Sequence, residues 1–137
     1  MSRVTLAPLS FFFPAVAMEF ERAVDGAGSL YIGPQVSLGA LRQPGAYAFD
    51  FHVGARLFPG GEAPRGFWIG PEVRASSANV SSTSLWGLAL LGTIGYSVVT
   101  DGGFTVSFGT ALGGGVMSSA TSPMLAIGMH ANIGYAY

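Results

Sequence analysis

The sequence of 137 residues contains no lysine and no cysteine, and only 9% of its residues are charged. In soluble domains, roughly a quarter of all residues are charged, because a water-facing surface needs many charges of both signs. The missing cysteine excludes a disulfide scaffold. Six arginines nearly cancel seven acidic residues, which disfavours nucleic acid as a partner. The composition therefore argues against a conventional soluble domain.

A long hydrophobic run is also missing, although half of the residues are apolar. Glycine, proline, serine or threonine interrupts each apolar stretch before the ~20 residues that a membrane-spanning helix requires. The 21 glycines and eight prolines disfavour helices of any length. We therefore expect the apolar residues to lie in strands, within a single domain of residues 1–137.

What the sequence does contain is an alternation with a period of two, the pattern of strands with two different faces. From Leu85 to Val98, large apolar residues such as Trp86 and Leu88 alternate with small or hydroxylated ones. Six further segments share this pattern, and sequences rich in glycine, proline, serine or aspartate separate them. In these segments, every charge within a strand core lies on the face of small residues.

The strand count follows from the rule that single-chain bacterial barrels have an even number of strands. Seven clear strands imply an eighth, which we place at Arg3–Phe12, although the run from Val4 to Phe13 also imitates a signal peptide. It should pair with Met124–Tyr137, because lipid does not tolerate an open sheet edge. The predicted fold is an all-β, eight-stranded, antiparallel up-and-down transmembrane barrel, with Ser76–Ser84 and Ser118–Pro123 as outer loops.

The apolar face has the height of a membrane. Trp86 and Tyr96 share this face ten residues apart, which corresponds to roughly 25 Å along the normal of a tilted strand. Aromatic side chains of this kind lie at membrane interfaces, where we place Trp86, Tyr96, Tyr135 and Tyr137. A soluble barrel that encloses a ligand would reverse the two faces. We therefore expect the large apolar side chains to point outward, among them Trp86, Leu88, Leu90, Ile94, Tyr96, Phe108, Ile127 and Ile133.

An internal repeat relates two of the strands. The segment from Tyr31 to Val36 matches the segment from Trp68 to Val73 at a spacing of 37 residues, as if one hairpin had been duplicated. Each copy contains a proline, which cannot donate a hydrogen bond to the neighbouring strand. We therefore expect a bulge or a gap in pairing at Pro34 and Pro71.

Several segments resemble a family of small bacterial outer-membrane barrels of unknown function. Residues Pro8–Arg22 resemble its first hairpin, and Gly54–Phe58 followed by Gly66–Pro71 resembles its central hairpin. The architecture is similar to OmpA- and OmpX-type barrels. The C-terminal alternation of Ile133, Tyr135 and Tyr137 looks like the recognition signal of such proteins. The resemblance implies a location in the outer membrane and insertion by the barrel-assembly machinery.

The face of small residues carries the groups that could support chemistry, namely Glu19, Glu21, Asp50, His52, Arg56, Glu72, Arg74 and His130. The interior of an eight-stranded barrel is just wide enough for side chains, and a buried charge needs a partner. We therefore expect these side chains to form a network that closes the lumen.

The register of the central hairpin would decide the individual pairs. If Phe58 lies opposite Gly66, the predicted pairs are Asp50 with Arg74, His52 with Glu72, and Arg56 with Trp68. Arg56 would also be within reach of Glu19 or Glu21 across the lumen.

These expectations favour a non-enzymatic barrel that acts as a structural component or as a membrane anchor for an envelope protein. No catalytic residue, metal or cofactor is assigned, and the expected partners are the lipid bilayer and the assembly machinery. Four alternatives stay open. Asp50 and His52 could bind a metal with Glu72 or His130. A Ser–His–acid arrangement could deacylate lipids. The lumen could be a narrow pore, although Tyr31, Trp68 and Arg74 would crowd it. Apolar strands such as Leu85–Val98 could also associate with other barrels.

Overall fold

The computed structural model describes residues 1–6, 15–38, 47–80 and 82–137, and these form an all-β, closed antiparallel barrel of eight strands. The strands are β1 (Ser2–Leu6), β2 (Ala15–Ala23), β3 (Gly28–Leu38), β4 (Tyr47–Leu57), β5 (Gly66–Val80), β6 (Thr83–Val99), β7 (Phe104–Met117) and β8 (Met124–Ala136). Each strand pairs with its neighbours in chain order, and β1 closes the barrel on β8 between Arg3 and Leu6. The predicted eight-stranded antiparallel barrel is therefore confirmed, while residues 7–12 of the expected first strand lie outside the described residues.

Among the described residues, no helix is long and apolar enough to cross a membrane.

The two ends of the barrel differ in their connections. The terminal end carries both chain termini and the turns at residues 24–27, 58–65 and 100–103, and the opposite end carries Ser82 and residues 118–123. Two of the terminal turns pack together, because the Phe58 amide donates to the Ala27 carbonyl at 2.7 Å and the Ala63 amide donates to the Gly26 carbonyl at 2.9 Å. The Phe58 side chain is buried at this end of the barrel.

The polar run Ser76–Ser84 is not the outer loop that the sequence predicted. Instead, β5 continues to Val80 and β6 begins at Thr83, and the ladder includes Ala78 opposite Leu85 and Asn79 opposite Ser84. Backbone hydrogen bonds form the ladder, so it does not require apolar side chains. The strands therefore extend beyond the segment that carries large apolar residues, and the prediction of a long loop here was wrong.

Both copies of the repeat interrupt the ladder on the side of the preceding strand. Pairing of β2 with β3 skips the positions opposite Gly33 and Pro34, and pairing of β4 with β5 skips those opposite Gly70 and Pro71. On the other side, the ladders run continuously through Pro34 and Pro71. The expected gaps are confirmed, and they arise because proline lacks the amide hydrogen that the ladder would use.

The barrel wall has an apolar outer face and a polar inner face. The side chains of Trp86, Leu88, Leu90, Ile94, Tyr96, Phe108, Ile127 and Ile133, all predicted to point outward, are exposed, with Leu90 at 64%. The inward positions instead hold buried polar side chains, among them Arg3, Arg56, Ser97 and Thr105. This distribution is the reverse of that in a water-soluble domain, and the outward prediction is confirmed.

The repeat generates a prediction about Gly70. A Cβ at this position would lie 1.8 Å from the Ala55 carbonyl oxygen, whereas a Cβ at Gly114 would meet nothing within 4 Å. We expect Gly70→Ala to destabilise the barrel by about 1–3 kcal/mol, because the backbones must separate. Gly114→Ala is the matched control and should leave the free energy of unfolding nearly unchanged. Urea titration of both variants in detergent micelles measures the difference, and equal stabilities would contradict the close approach.

Candidate functional site

The candidate site is a cluster of charged and aromatic side chains inside the terminal half of the barrel, which we call the plug. Its members are Arg3, Glu19, Glu21, Tyr31, Arg56, Trp68, Glu72, Arg74 and Ser97. They come from β1, β2, β3, β4, β5 and β6, and strand parity points each of them inward. The plug therefore links strands that are not neighbours in the sheet.

Arg56 lies at the centre of the plug and is 1% exposed. Its Nη1 and Nη2 atoms donate to the two carboxylate oxygens of Glu19, each at 2.9 Å, and Nη1 also donates to Glu21. Such a bidentate pair matches the planar guanidinium to the carboxylate. The structure thus brings Arg56 together with Glu19 and Glu21, the two carboxylates that the sequence analysis placed within its reach.

The guanidinium of Arg56 also contacts the two aromatic residues that the repeat relates. Its Cζ atom lies 3.9 Å from the ring centroid of Tyr31 and 4.5 Å from that of Trp68. Both distances fall within the range of cation–π attraction. The corresponding residues of the two repeat copies therefore bind the same cation.

Arg3 is a second buried cation, and the sequence analysis did not include it. Its Nη2 atom donates to Glu21 and lies 3.6 Å from Glu19, while Nη1 donates to the Ser97 hydroxyl at 3.0 Å. Arg3 is opposite Glu21 in the pairing of β1 with β2. The alternation of Arg3 and Thr5 with Val4 and Leu6 carries this signal, but the pattern does not continue through the rest of the expected strand Arg3–Phe12, so the sequence alone did not identify the inward face.

Hydroxyl groups complete the lower part of the plug, which is the part nearest the terminal end of the barrel. Ser97 accepts from Trp68 Nε1 at 3.1 Å and donates to the Ser107 hydroxyl at 3.0 Å. Ser29 donates to Glu21. Each of these residues is buried, and a buried polar group that lacks a hydrogen bond costs free energy. The serines therefore satisfy donors and acceptors of the plug.

Glu72 and Arg74 form the upper layer of the plug, which is the layer farthest from the terminal end of the barrel. Arg74 donates from Nε and Nη2 to Glu72 Oε1 at 3.1 and 2.7 Å, and the Tyr31 hydroxyl donates to Glu72 Oε2 at 2.9 Å. Gly54 lies opposite Glu72, and a Cβ on Gly54 would be 2.4 Å from the Tyr31 hydroxyl. The missing side chain at Gly54 therefore gives Tyr31 the space to reach Glu72.

The predicted register of the central hairpin was wrong by two residues. Asp50 lies opposite Ser76 and His52 lies opposite Arg74, instead of Asp50 facing Arg74 and His52 facing Glu72. The prediction assumed that the ladder extends to Phe58 and Gly66. The Phe58 amide instead binds the Ala27 carbonyl of the neighbouring turn, so the β4–β5 ladder ends earlier, at Leu57 and Ile69.

The pair of Arg56 and Trp68 is also not a cross-strand pair, because the register puts Gly70 at the position opposite Arg56. The two side chains still meet, since Arg56 packs over the Trp68 ring.

Three predicted residues lie at the margin of the plug. His52 Nε2 is 3.8 Å from Glu19 Oε2, and the His130 ring stacks on Trp68 with centroids 5.2 Å apart. Asp50 forms no ion pair or hydrogen bond with any residue that the structure describes. Within the described ranges, no three His, Asp or Glu side chains are close enough to hold a metal ion. The structure therefore does not gather Asp50, His52, Glu72 and His130 into a ligand set.

The arrangement of charges has a clear chemical consequence. The plug contains three arginines and three glutamates, and each of these six side chains forms an ion pair. A buried charge left without its partner is costly, so the six groups stabilise one another. Among the described residues, no serine or threonine hydroxyl forms a hydrogen bond with His52 or His130. The geometry is that of a buried, charge-balanced core.

The four aromatic residues assigned to membrane interfaces are all exposed on the outer face. Tyr96 contacts Phe108 across β6 and β7, with ring centroids 6.2 Å apart. Tyr135 and Tyr137 lie at the terminal end, and Trp86 lies towards the opposite end. The aromatic residues therefore occur near both ends of the apolar outer face.

Comparisons of the chain with protein-family models, with curated proteins and with solved structures gave no significant match. The interpretation of the plug therefore depends on its own geometry.

The plug generates a prediction about Arg56. Replacing it by methionine leaves Glu19 and Glu21 with one buried partner fewer, so Arg56→Met should destabilise the barrel by about 3–5 kcal/mol. Arg65→Gln is the control, because Arg65 is half exposed and lies 3.8 Å from Asp101 at the surface, where an ion pair contributes about 0–1 kcal/mol.

Chemical unfolding followed by tryptophan fluorescence measures both variants. Adding Glu19→Gln to Arg56→Met should recover part of the lost stability, because one uncompensated carboxylate is removed. Independent, additive effects of the two substitutions would contradict a direct Arg56–Glu19 interaction.

Proposed function

We propose that this protein is a non-enzymatic β-barrel of the bacterial outer membrane, closed by the plug, that serves as a structural component or as an anchor for an envelope protein. The observation that carries the proposal is the inversion of the barrel wall, with large apolar side chains outside and paired charges inside.

The outer face supports the membrane part of the proposal. Exposed large apolar residues occur on every described strand, from Leu6 on β1 to Tyr135 on β8. A soluble monomer rarely exposes a contiguous apolar patch of more than a few hundred Å². A closed barrel leaves no open sheet edge, as lipid requires. The outer membrane is the compartment that suits such a barrel, in agreement with the family resemblance.

The plug supports the non-pore part of the proposal. Trp68 is 0% exposed, and Arg3 and Arg56 are each 1% exposed, inside a barrel of eight strands. An interior of this size is filled by side chains or holds one small ligand at most, and in the terminal half of the barrel the plug fills it. A solute would have to separate ion pairs that join β1, β2 and β4. The plug is therefore better suited to stabilising the barrel than to conduction.

Leu90→Arg tests the membrane location. Leu90 points outward near the middle of β6, where an arginine in contact with lipid costs roughly 2–4 kcal/mol, compared with about 0–1 kcal/mol near an interface. Val24→Arg, in an exposed turn at the terminal end, is the control. Folding of both variants into lipid vesicles gives the two free energies. An equal effect of both substitutions, together with recovery of the protein in the soluble cell fraction, would contradict the proposal.

A pair of tryptophan variants tests the closed lumen. The wild-type barrel should conduct no ions when it is reconstituted in a planar bilayer. Trp68→Ala removes the largest fully buried side chain and should permit measurable conductance, whereas Trp86→Ala changes only the outer face and should stay closed. Steady conductance by the wild type would show that the plug does not close the barrel.

Cross-linking in native membranes tests the anchor role. If the barrel anchors an envelope protein, one partner should copurify with it in constant proportion after cross-linking. Lipid analysis of cells with and without the protein tests the enzymatic alternative, since the proposal expects identical lipid compositions.

A further inference from the structure

The inner face of the barrel changes character beyond the plug. Towards the opposite end, strands β5 to β8 point small or apolar side chains inward, and these line a cavity of about 250 Å³. Its inward-pointing residues include Ala78, Leu85, Ala89, Leu91, Met117 and Ala126. The inner face is therefore charged in the terminal half of the barrel, and it is apolar along β5 to β8 in the opposite half.

The cavity ends on the upper layer of the plug. Arg74 lines it, and the Arg74 Nη1 atom extends to within 3.5 Å of the place that a Cβ on Gly128 would occupy. The other guanidinium donors of Arg74 bind Glu72. The floor is thus an ion pair with no net charge, and the plug lies directly below it. The cavity is blind at this end.

The other end of the cavity lies at the rim of the barrel. Met117 and Met124 flank residues 118–123, have the parity of inward residues, and are 37% and 46% exposed. Methionine side chains are flexible and adapt to ligands of different shape. The two methionines therefore form a mouth through which an apolar group can enter.

We propose that this cavity binds a single alkyl chain of about eight carbons, with its tail at Arg74 and its polar head at the mouth. Apolar cavities favour apolar ligands over water, and the interior of an eight-stranded barrel has room for one chain at most. An apolar cavity of about 150 Å³ holds one benzene molecule, so a cavity of 250 Å³ is large enough for a chain of about eight carbons.

Access to water determines the orientation of the chain. Met117 and Met124 at the mouth are 37% and 46% exposed, so a polar head placed there stays hydrated. At the floor, two of the Arg74 donor atoms already bind Glu72, and a head that lost its water there without enough partners would be costly. The chain therefore enters tail first.

Binding of alkyl glucosides to the barrel in nanodiscs tests the site, with empty nanodiscs to subtract partition into lipid. Affinity should rise about fourfold per methylene up to about eight carbons and then level off, because the chain reaches Arg74. Saturable binding of octyl glucoside with this length dependence supports the proposal. Partition without saturation, or affinity that rises evenly through dodecyl glucoside, overturns it.

Two alanine variants on the same strand provide the matched control. Ala78→Phe fills the cavity and should weaken octyl binding at least tenfold, whereas Ala75→Phe places the same ring on the outer face and should leave binding unchanged. Ala126→Phe is a second filling variant if Ala78→Phe does not fold. Wild-type affinity in a folded filling variant overturns the proposal.

An octyl glucoside with a diazirine at its tail end tests the orientation. Tail-first binding should label Leu91 or Arg74, and labelling of Met117 or Met124 instead overturns the orientation. Competition identifies the source of the chain, since displacement by lysophosphatidylcholine indicates a membrane lipid and displacement by octanoate indicates a free fatty acid. Displacement by neither overturns the site. If the cavity binds no alkyl chain, the plug can still close the lumen, so this proposal and the proposed function can fail separately.

Discussion

The interaction on which the rest of the barrel depends is the packing of the Arg56 guanidinium between two carboxylates and two aromatic rings. Glu19 and Glu21 reach Arg56 from β2, Tyr31 from β3 and Trp68 from β5. Without Arg56, two glutamates would be buried with only Arg3 to balance them. Because these groups come from four strands, one buried charge constrains the mutual positions of half of the barrel.

The internal repeat explains how such a site can arise. The repeat places Tyr31 and Trp68 at equivalent positions, and it places Glu19 at the position equivalent to Arg56, since both pairs are 37 residues apart. Each proline interrupts the ladder towards the preceding strand, where Gly33 and Gly70 closely approach the neighbouring backbone. The two hairpins thus have the same backbone irregularity, and opposite charges at equivalent positions bind them to each other across the lumen.

The two halves of the lumen obey different physical requirements. In the terminal half, the polar side chains must pair with one another, because a lone buried charge costs several kcal/mol. In the other half, small side chains on β6 and β8 leave space that the ion pairs do not fill. The Arg74–Glu72 pair separates these regions. The proposed closure of the terminal half and the proposed binding of a chain in the other half are therefore compatible with each other.

The sequence by itself determined the properties that depend on one strand at a time. The alternation along Leu85–Val98 predicted a strand and its outward face, and the same rule placed Glu19, Arg56 and Glu72 inside, because side chains in a strand alternate between two faces. Only the tertiary structure decided which strands meet in which register. A shift of two residues preserves both faces and the hydrogen-bonding pattern, so the contact of Phe58 with Ala27 was needed to select the observed pairs. The inward position of Arg3 likewise depends on the pairing of β1 with β2 and β8.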